Sequence, residues 1–394
     1  LAVAGAIVSH PRIAFAGLSM NLFLLEYLRK FKIRNVGGNL IIHSHLPPIN
    51  SRAYSRFIRE HLLDKTPGPS HAQVGLTNLC PQKCRYCYNR ERTGTAMTAE
   101  TIMRLISDLK KMGVFWLGLT GGEPLLNKDI VRITESAADG CAVKLFTTGC
   151  HLSRDLARDL KSAGLFSVAV SLDHWSEDIH DQVRGYKGAY KTALKAIEIF
   201  KGVNGLHVSV SAVLSPEMIK NNRVEEYLEF LGGLGIDEAW ISETKPSVEP
   251  FWRRDLIITE KERRDLMALQ DRHNRAGRMT VNYLAHFESA EHFGCSAGHK
   301  MVYIDSFGDV SPCVFTPINF GNVNQKPIRR IFADMRKHFP SDNTCFINKN
   351  FEAVRHIGHV PLNRYETVRM LEGIKFGPLA EFYRLYYKPC RRPW

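Results

Sequence analysis

The chain has 394 residues, 44% of them apolar and 24% charged, enough apolar side chain for one to three buried cores at roughly 150 residues per domain. This composition excludes a disordered tail, a collagen and a coiled coil. With 53 basic and 40 acidic residues the net charge is +13, which favours an anionic partner without choosing among nucleic acid, membrane headgroups and an acidic substrate.

Residues 1–69 read as a flank with an apolar start, a basic run (Arg29, Lys30, Lys32, Arg34) and Pro47-Pro48, and no period long enough to define a domain. The best apolar stretch, Ile13 to Leu25, contains Asn21 and lies between Arg12 and Glu26, short of the roughly 18 residues a spanning helix needs. No transmembrane span is expected, and the lean is towards the cytoplasm. An amphipathic helix packed on the main domain is the favoured reading of this stretch. The adjacent cations keep peripheral contact with an anionic membrane open as the alternative. His43 and His45 read as exposed loop residues.

From 70 to 255 short β-rich runs alternate with helical stretches, the pattern of stacked βα units on a parallel sheet. Six strands are expected, at Ala72 to Leu76, Val114 to Leu119, Ala142 to Phe146, Ser167 to Leu172, Leu206 to Val213 and Asp237 to Ile241. In the first helix Thr98 serves as N-cap, Ile102, Leu105, Ile106 and Leu109 share a face, and Gly113 ends it. Gly164 ends the Asp155 to Ala163 helix in the same way. Beyond 255 the rhythm stops: 256–284 reads as a helical linker, 285–350 as a small Cys/Gly-containing domain and 351–394 as a tail.

Nine cysteines are too few for a disulfide scaffold of this length, and three crowd into one loop as Cys80-x3-Cys84-x2-Cys87, which points to metal in a reducing compartment. Structural zinc takes four protein ligands and would need another donor such as His71. An iron-sulfur cubane takes one ligand per iron, so three cysteines leave one iron open. In parallel α/β folds chemistry collects at the carboxyl ends of the strands. The unusual residues, Cys80 to Cys87, Thr120 to Pro124, Thr147 to Cys150 and Asp173, all follow strands.

Cys80-Pro-Gln-Lys-Cys84-Arg-Tyr-Cys87 after one strand and Thr120-Gly-Gly-Glu-Pro124 after the next resemble the radical S-adenosylmethionine (SAM) superfamily. The resemblance implies a partial (βα)6 barrel of the TIM type and a [4Fe-4S] cluster on Cys80, Cys84 and Cys87. The cluster's free iron binds SAM and reductively cleaves it to a 5′-deoxyadenosyl radical that takes hydrogen from substrate. It also implies an electron donor such as flavodoxin or ferredoxin. Carried over position by position, Gly121 and Gly122 let backbone approach the methionine end of SAM, Glu123 accepts from its ammonium group, and Pro124 completes the motif. Tyr86 stands near the adenine, Ser171 and Arg184 hold the carboxylate or ribose, and Ser211 is a further ribose contact. Thr148 stands where many relatives carry Asn, and keeps a hydroxyl for that contact.

A second set, Cys295-x12-Gly308-x4-Cys313 with Gly321-Asn-Val following, resembles the auxiliary iron-sulfur extension called SPASM, or its shorter form, twitch. A Gly-Asp turn in a hairpin brings two thiolates together. Only Cys345 and Cys390 follow, which favours the shorter form with a second [4Fe-4S] cluster on Cys295, Cys313 and Cys345. Cys390 is the fourth ligand, or that iron stays open. Structural zinc or plain burial is the rival for this set, while Cys141, Cys150 and His207 read as structural.

The resulting expectation is a radical SAM enzyme with a substrate between two clusters. Residues 1–69 show no strands for a peptide-recognition domain, which slightly favours a small or lipid-like metabolite over a peptide or protein substrate. A non-catalytic electron-transfer protein is the rival class. Nucleic-acid binding is less supported, because the positive charge is dispersed.

Overall fold

The computed structural model describes residues 11–249, 251–277, 279–355 and 361–387. The flank forms a hairpin of β1 (Arg34–Val36) and β2 (Asn39–Ile41), turned at Gly37 and Gly38, which both take positive φ. A Cβ at Gly37 would lie 2.3 Å from Gly205 Cα, so that turn is fixed by close approach as well as by its dihedrals.

All six expected strands form: β3 (His71–Thr77), β4 (Trp116–Gly121), β5 (Ala142–Thr147), β6 (Leu165–Ser171), β7 (His207–Leu214) and β8 (Glu238–Glu243). Each runs parallel to the one before it, which makes the partial (βα)6 barrel. The helix Ala99–Lys111 begins at Thr98, whose side chain accepts from Thr101 N, and buries Ile102, Leu105, Ile106 and Leu109. Gly113 follows with φ +111°. The helix Arg154–Ser162 is capped by Ser153 and followed by Gly164 at φ +95°. Alternate strand residues, such as Val74, Leu119, Leu145, Val170 and Val210, join these helices in one apolar core.

The sheet does not stop at residue 255. The stretch expected as a helical linker holds the helix Glu260–Ala276 and then β9 (Thr280–Tyr283), which pairs with β8. At the other edge β10 (Met301–Ile304) pairs parallel with β3, and β11 (Val310–Ser311) turns back on β10. The order is β11-β10-β3-β4-β5-β6-β7-β8-β9. Strands β9, β10 and β11 therefore extend both edges of the barrel sheet.

The floor of the barrel, at the amino ends of the strands, corrects the reading of His43 and His45 as exposed. Both are buried, with Ser44 between them, because β2 leads straight into the barrel. Ser44 N and Oγ donate to Glu238 at 2.7 and 2.8 Å, Lys144 donates to Ser44 Oγ, and Trp116 Nε1 donates to Ser44 O at 2.7 Å. Asn282 on β9 also donates to Glu238, at 3.0 Å. Ser44, Lys144, Asn282 and Glu238 are thus paired, as burial requires, while His43 Nδ1 is buried with no hydrogen-bond partner among the described residues.

Candidate functional site

At the opposite, carboxyl ends of the strands, the loop after β3 carries Cys80, Cys84 and Cys87. The loop after β4 is packed tightly against it. Gly122 N donates to Thr77 O at 2.6 Å and Glu123 N to Leu79 O at 2.7 Å. Gly121 takes φ +118°, where a Cβ would lie 2.4 Å from Thr77 O, and one at Gly122 would lie 2.3 Å from Leu79 O. The two glycines are thus required by the cysteine loop itself, besides lining the cavity beside it.

The far side of the cysteine loop is held by the helix Glu177–Arg184. Lys83 N donates to Arg184 O at 2.9 Å and Arg85 N to Val183 O at 3.2 Å. The Arg184 guanidinium, buried with Asp173, pairs with its carboxylate at 2.8 Å and reaches Cys84 Sγ at 3.7 Å. Tyr86 donates to the same carboxylate at 2.5 Å, and Val213 N does so at 3.0 Å. Asp173 is the hub of this group. The sequence showed it in place after β6 but gave no sign that three elements would converge on it.

Glu123 and Pro124 depart from expectation. The Glu123 carboxylate is fully buried and accepts from Thr147 Oγ1 (2.6 Å), Leu125 N (3.0 Å), Thr148 N (2.7 Å) and Thr148 Oγ1. Burial raises its pKa and these four hydrogen bonds oppose the rise. Its acceptor sites are filled by protein, so it pins the Thr147–Thr148 loop rather than presenting itself to a ligand. Pro124, buried at the start of the short turn Pro124–Leu126, lies behind that loop. Neither borders the cavity.

Thr148, Ser171 and Ser211 do line it, together with Tyr86 and Arg184. Ser171 and Ser211 are cross-strand partners on β6 and β7, so they present hydroxyls side by side.

The second cysteine set comes from three places. Cys295 N donates to Asp342 O at 2.8 Å, Cys313 follows β11 with Sγ 3.2 Å from Thr316 Oγ1, and Cys345 precedes the helix Phe346–Arg355. Between β10 and β11, Gly308 at φ +93° makes the turn. Asp305 caps that turn by accepting from Phe307 N and Asp309 N at 2.9 Å. Asp305 also pairs with buried Arg92 at 3.1 Å, and Arg92 O accepts from Asn78 beside the first cysteine loop. This pair ties the two cysteine regions together. Cys390 lies outside the described residues.

All six described cysteines of the two sets line one cavity of about 530 Å³. Burial pushes the Cys80 and Cys345 thiols up to about 12, so metal loading there must displace protons. Among the described residues no three His, Cys, Asp or Glu side chains converge on a position for a single ion. A cubane, by contrast, spreads its ligands over separate irons, and each triad supplies three thiols around shared space. The donor sets fit iron-sulfur clusters better than zinc. Three described cysteines after residue 285 suffice for one auxiliary cluster.

Beside the second set stands a charged group the sequence did not announce. Lys245, buried just past β8, donates to Glu243 at 3.0 Å and Glu288 at 2.8 Å. Glu243 further accepts from Tyr283 (2.9 Å), Arg263 (3.3 Å) and Asn348 (3.2 Å). It links the end of β8 to the helix Glu260–Ala276, to β9 and to the Cys345 region.

The sequence profile of the radical SAM superfamily matches residues 74–231, and that of SPASM, an iron-sulfur cluster-binding domain, matches residues 295–354. Among curated proteins, the PqqA peptide cyclase of Bradyrhizobium diazoefficiens is 31% identical over 37% of this chain and 39% of its own length. The AdoMet-dependent heme synthase of Methanosarcina barkeri is 23% identical over 66% of this chain and 80% of its own. The subtilosin biosynthesis protein AlbA of Bacillus subtilis is 25% identical over 76% and 67%. Among solved structures, Streptococcus suis SuiB bound to S-adenosylmethionine superposes with a TM-score of 0.56 at 18% identity, covering 74% of this chain and 77% of SuiB.

Proposed function

The chain belongs to the radical SAM superfamily and carries a SPASM-type iron-sulfur extension, and on that footing we propose that it modifies an unactivated C–H bond of a substrate held between two clusters. Cys80, Cys84 and Cys87 would hold the SAM-binding [4Fe-4S] cluster, and Cys295, Cys313 and Cys345 the auxiliary one. When bound, the first cluster and SAM supply one-electron chemistry strong enough to remove hydrogen from carbon.

The remaining work is positioning by this chain's residues. Asp173 fixes Arg184 and Tyr86 against the cysteine loop, Glu123 fixes Thr148, and Ser171 and Ser211 offer hydroxyls to the polar end of SAM. Lys245 sets a cation, balanced by Glu243 and Glu288, at the wall carrying Cys345. The observation that carries the reading is that both cysteine sets, together with Tyr86, Thr148, Ser171, Arg184, Ser211 and Lys245, line one cavity.

A peptide or protein side chain is the favoured substrate class, replacing the lean towards a small metabolite. The names of the Bradyrhizobium and Bacillus relatives support it. An apolar small molecule is the second reading, favoured by the inner cavity wall of Leu24, Leu28, Phe57, Phe293 and Phe382. The test is anaerobic incubation of iron-loaded protein, SAM and reductant with short peptides encoded beside the gene, or with apolar metabolites, following 5′-deoxyadenosine and substrate mass. A peptide that stimulates SAM turnover and changes in mass supports the first reading. Stimulation by apolar molecules alone replaces it with the second.

A further inference from the structure

The N-terminal flank is apolar on both sides. It comprises the turn Pro11–Ala16 and the helix Leu18–Leu28. Inward, Phe23, Leu24, Tyr27 and Leu28 are buried against Phe293, Phe382 and their neighbours, and Ile13, Leu24 and Leu28 wall the reaction cavity. Outward, Phe15 is 79% exposed, Leu18 75% and Leu22 55%. Isolated exposed apolar residues are ordinary, but three within eight residues form a patch.

Leu18 and Leu22 are spaced i, i+4 on the helix, and Arg29 continues the same stripe seven residues after Leu22. No charged residue lies between Arg12 and Glu26. At the ends of the patch Arg12 and Arg29 are exposed. Among the described residues Arg29 pairs only with Glu26, at 3.5 Å on open surface, and a pair so exposed is worth little and leaves the guanidinium available. The sequence before the patch, Leu1 to Val8, has no charge either.

We propose that this face docks on the surface of an anionic bilayer. An interfacial helix places Phe and Leu at the headgroup and acyl boundary while cations at its ends meet lipid phosphates. The pattern here, an apolar stripe bracketed by arginines on a chain of net charge +13, has that chemistry. A soluble protein partner would satisfy the apolar stripe but gives the two arginines no purpose. The docking holds for either substrate class, and it places the wall of the reaction cavity next to the membrane surface.

The test is flotation of the full, iron-loaded chain with vesicles of phosphatidylcholine alone or mixed in equal parts with phosphatidylglycerol. Two variants are compared, Phe15→Ser/Leu18→Ser/Leu22→Ser and Arg12→Gln/Arg29→Gln. The changed side chains are exposed, so both variants should melt with the wild type. The expected result is flotation with the anionic vesicles only, weakened about tenfold by the apolar variant and about threefold by the arginine variant. Absence of flotation, equal flotation with neutral vesicles, or flotation unaffected by the apolar variant would each overturn the proposal. So would self-association abolished by the apolar variant in a chain that ignores vesicles, since the face would then serve a second copy.

Discussion

Replacing Glu123 by Gln separates two roles for this carboxylate. One oxygen accepts from Thr147 Oγ1 and Leu125 N, the other from Thr148 N and Thr148 Oγ1. Glutamine turns one of these oxygens into an amide NH2, so two donors face a donor. The threonine hydroxyl of either pair can rotate to accept, but the backbone N–H cannot and is left unpaired in a fully buried place. Hydrogen bonds to a charged group contribute about 1.5–3 kcal/mol each, and an orphaned buried donor costs about 1–3 kcal/mol. Relief of the buried charge offsets part of this, leaving a loss of about 2–3 kcal/mol. The assay is urea unfolding of the anaerobic protein beside equilibrium dialysis of SAM. The expected outcome is a lower midpoint with weakened SAM binding, because the Thr147–Thr148 loop loses its anchor. A variant that unfolds at the wild-type midpoint but no longer binds SAM would refute this, and would put the carboxylate in direct contact with the ligand.

Three further outcomes follow from the geometry. Gly122→Ala places a Cβ 2.3 Å from Leu79 O, so the cysteine loop must move and iron retained at the first site should fall, as read by iron and sulfide counts. Glu238→Ala leaves Ser44 and Asn282 without their buried acceptor and Lys144 without its nearby countercharge, and removing one member of such a group costs about 3–5 kcal/mol, visible in urea unfolding with the cysteine sites untouched. Burial opposes ionisation of Glu243, yet Lys245 and Arg263 outweigh it and hold its pKa down at about 2, against the ordinary 4.5. The stability it contributes is therefore full above about 4.5 and lost as pH falls from there to about 2. Glu243→Gln should flatten the acid limb of a stability profile over that window, and an unchanged limb would contradict the assignment.

The six barrel strands were legible because each is a short apolar run followed by an amphipathic helix, two of them opened by side-chain caps at Thr98 and Ser153. The cysteine loop and Gly121-Gly122 were legible because their spacing is local. What escaped was decided by distant partners. Strand β10 is four residues long and exists because it pairs with β3, more than 220 residues earlier in the chain. His43 and His45 looked like loop residues because nothing local says that the barrel floor will close around them through Glu238 and Asn282. Glu123 was assigned to the ligand because its motif is local, while the four donors that fill it arrive partly from the next βα unit. Asp173 and Lys245 were silent for the same reason, since a single Asp or Lys after a strand gains its role only from the elements that fold onto it.

The central claim is that two cysteine sets serve one reaction cavity in distinct roles. Its most direct measurement compares reconstituted wild type with a Cys80→Ala/Cys84→Ala/Cys87→Ala variant, counting iron and, after anaerobic reduction with SAM, 5′-deoxyadenosine. The wild type should hold about eight irons and form product, and the variant about four irons with no product. A variant that loses all its iron, or one that still forms 5′-deoxyadenosine, would contradict the claim.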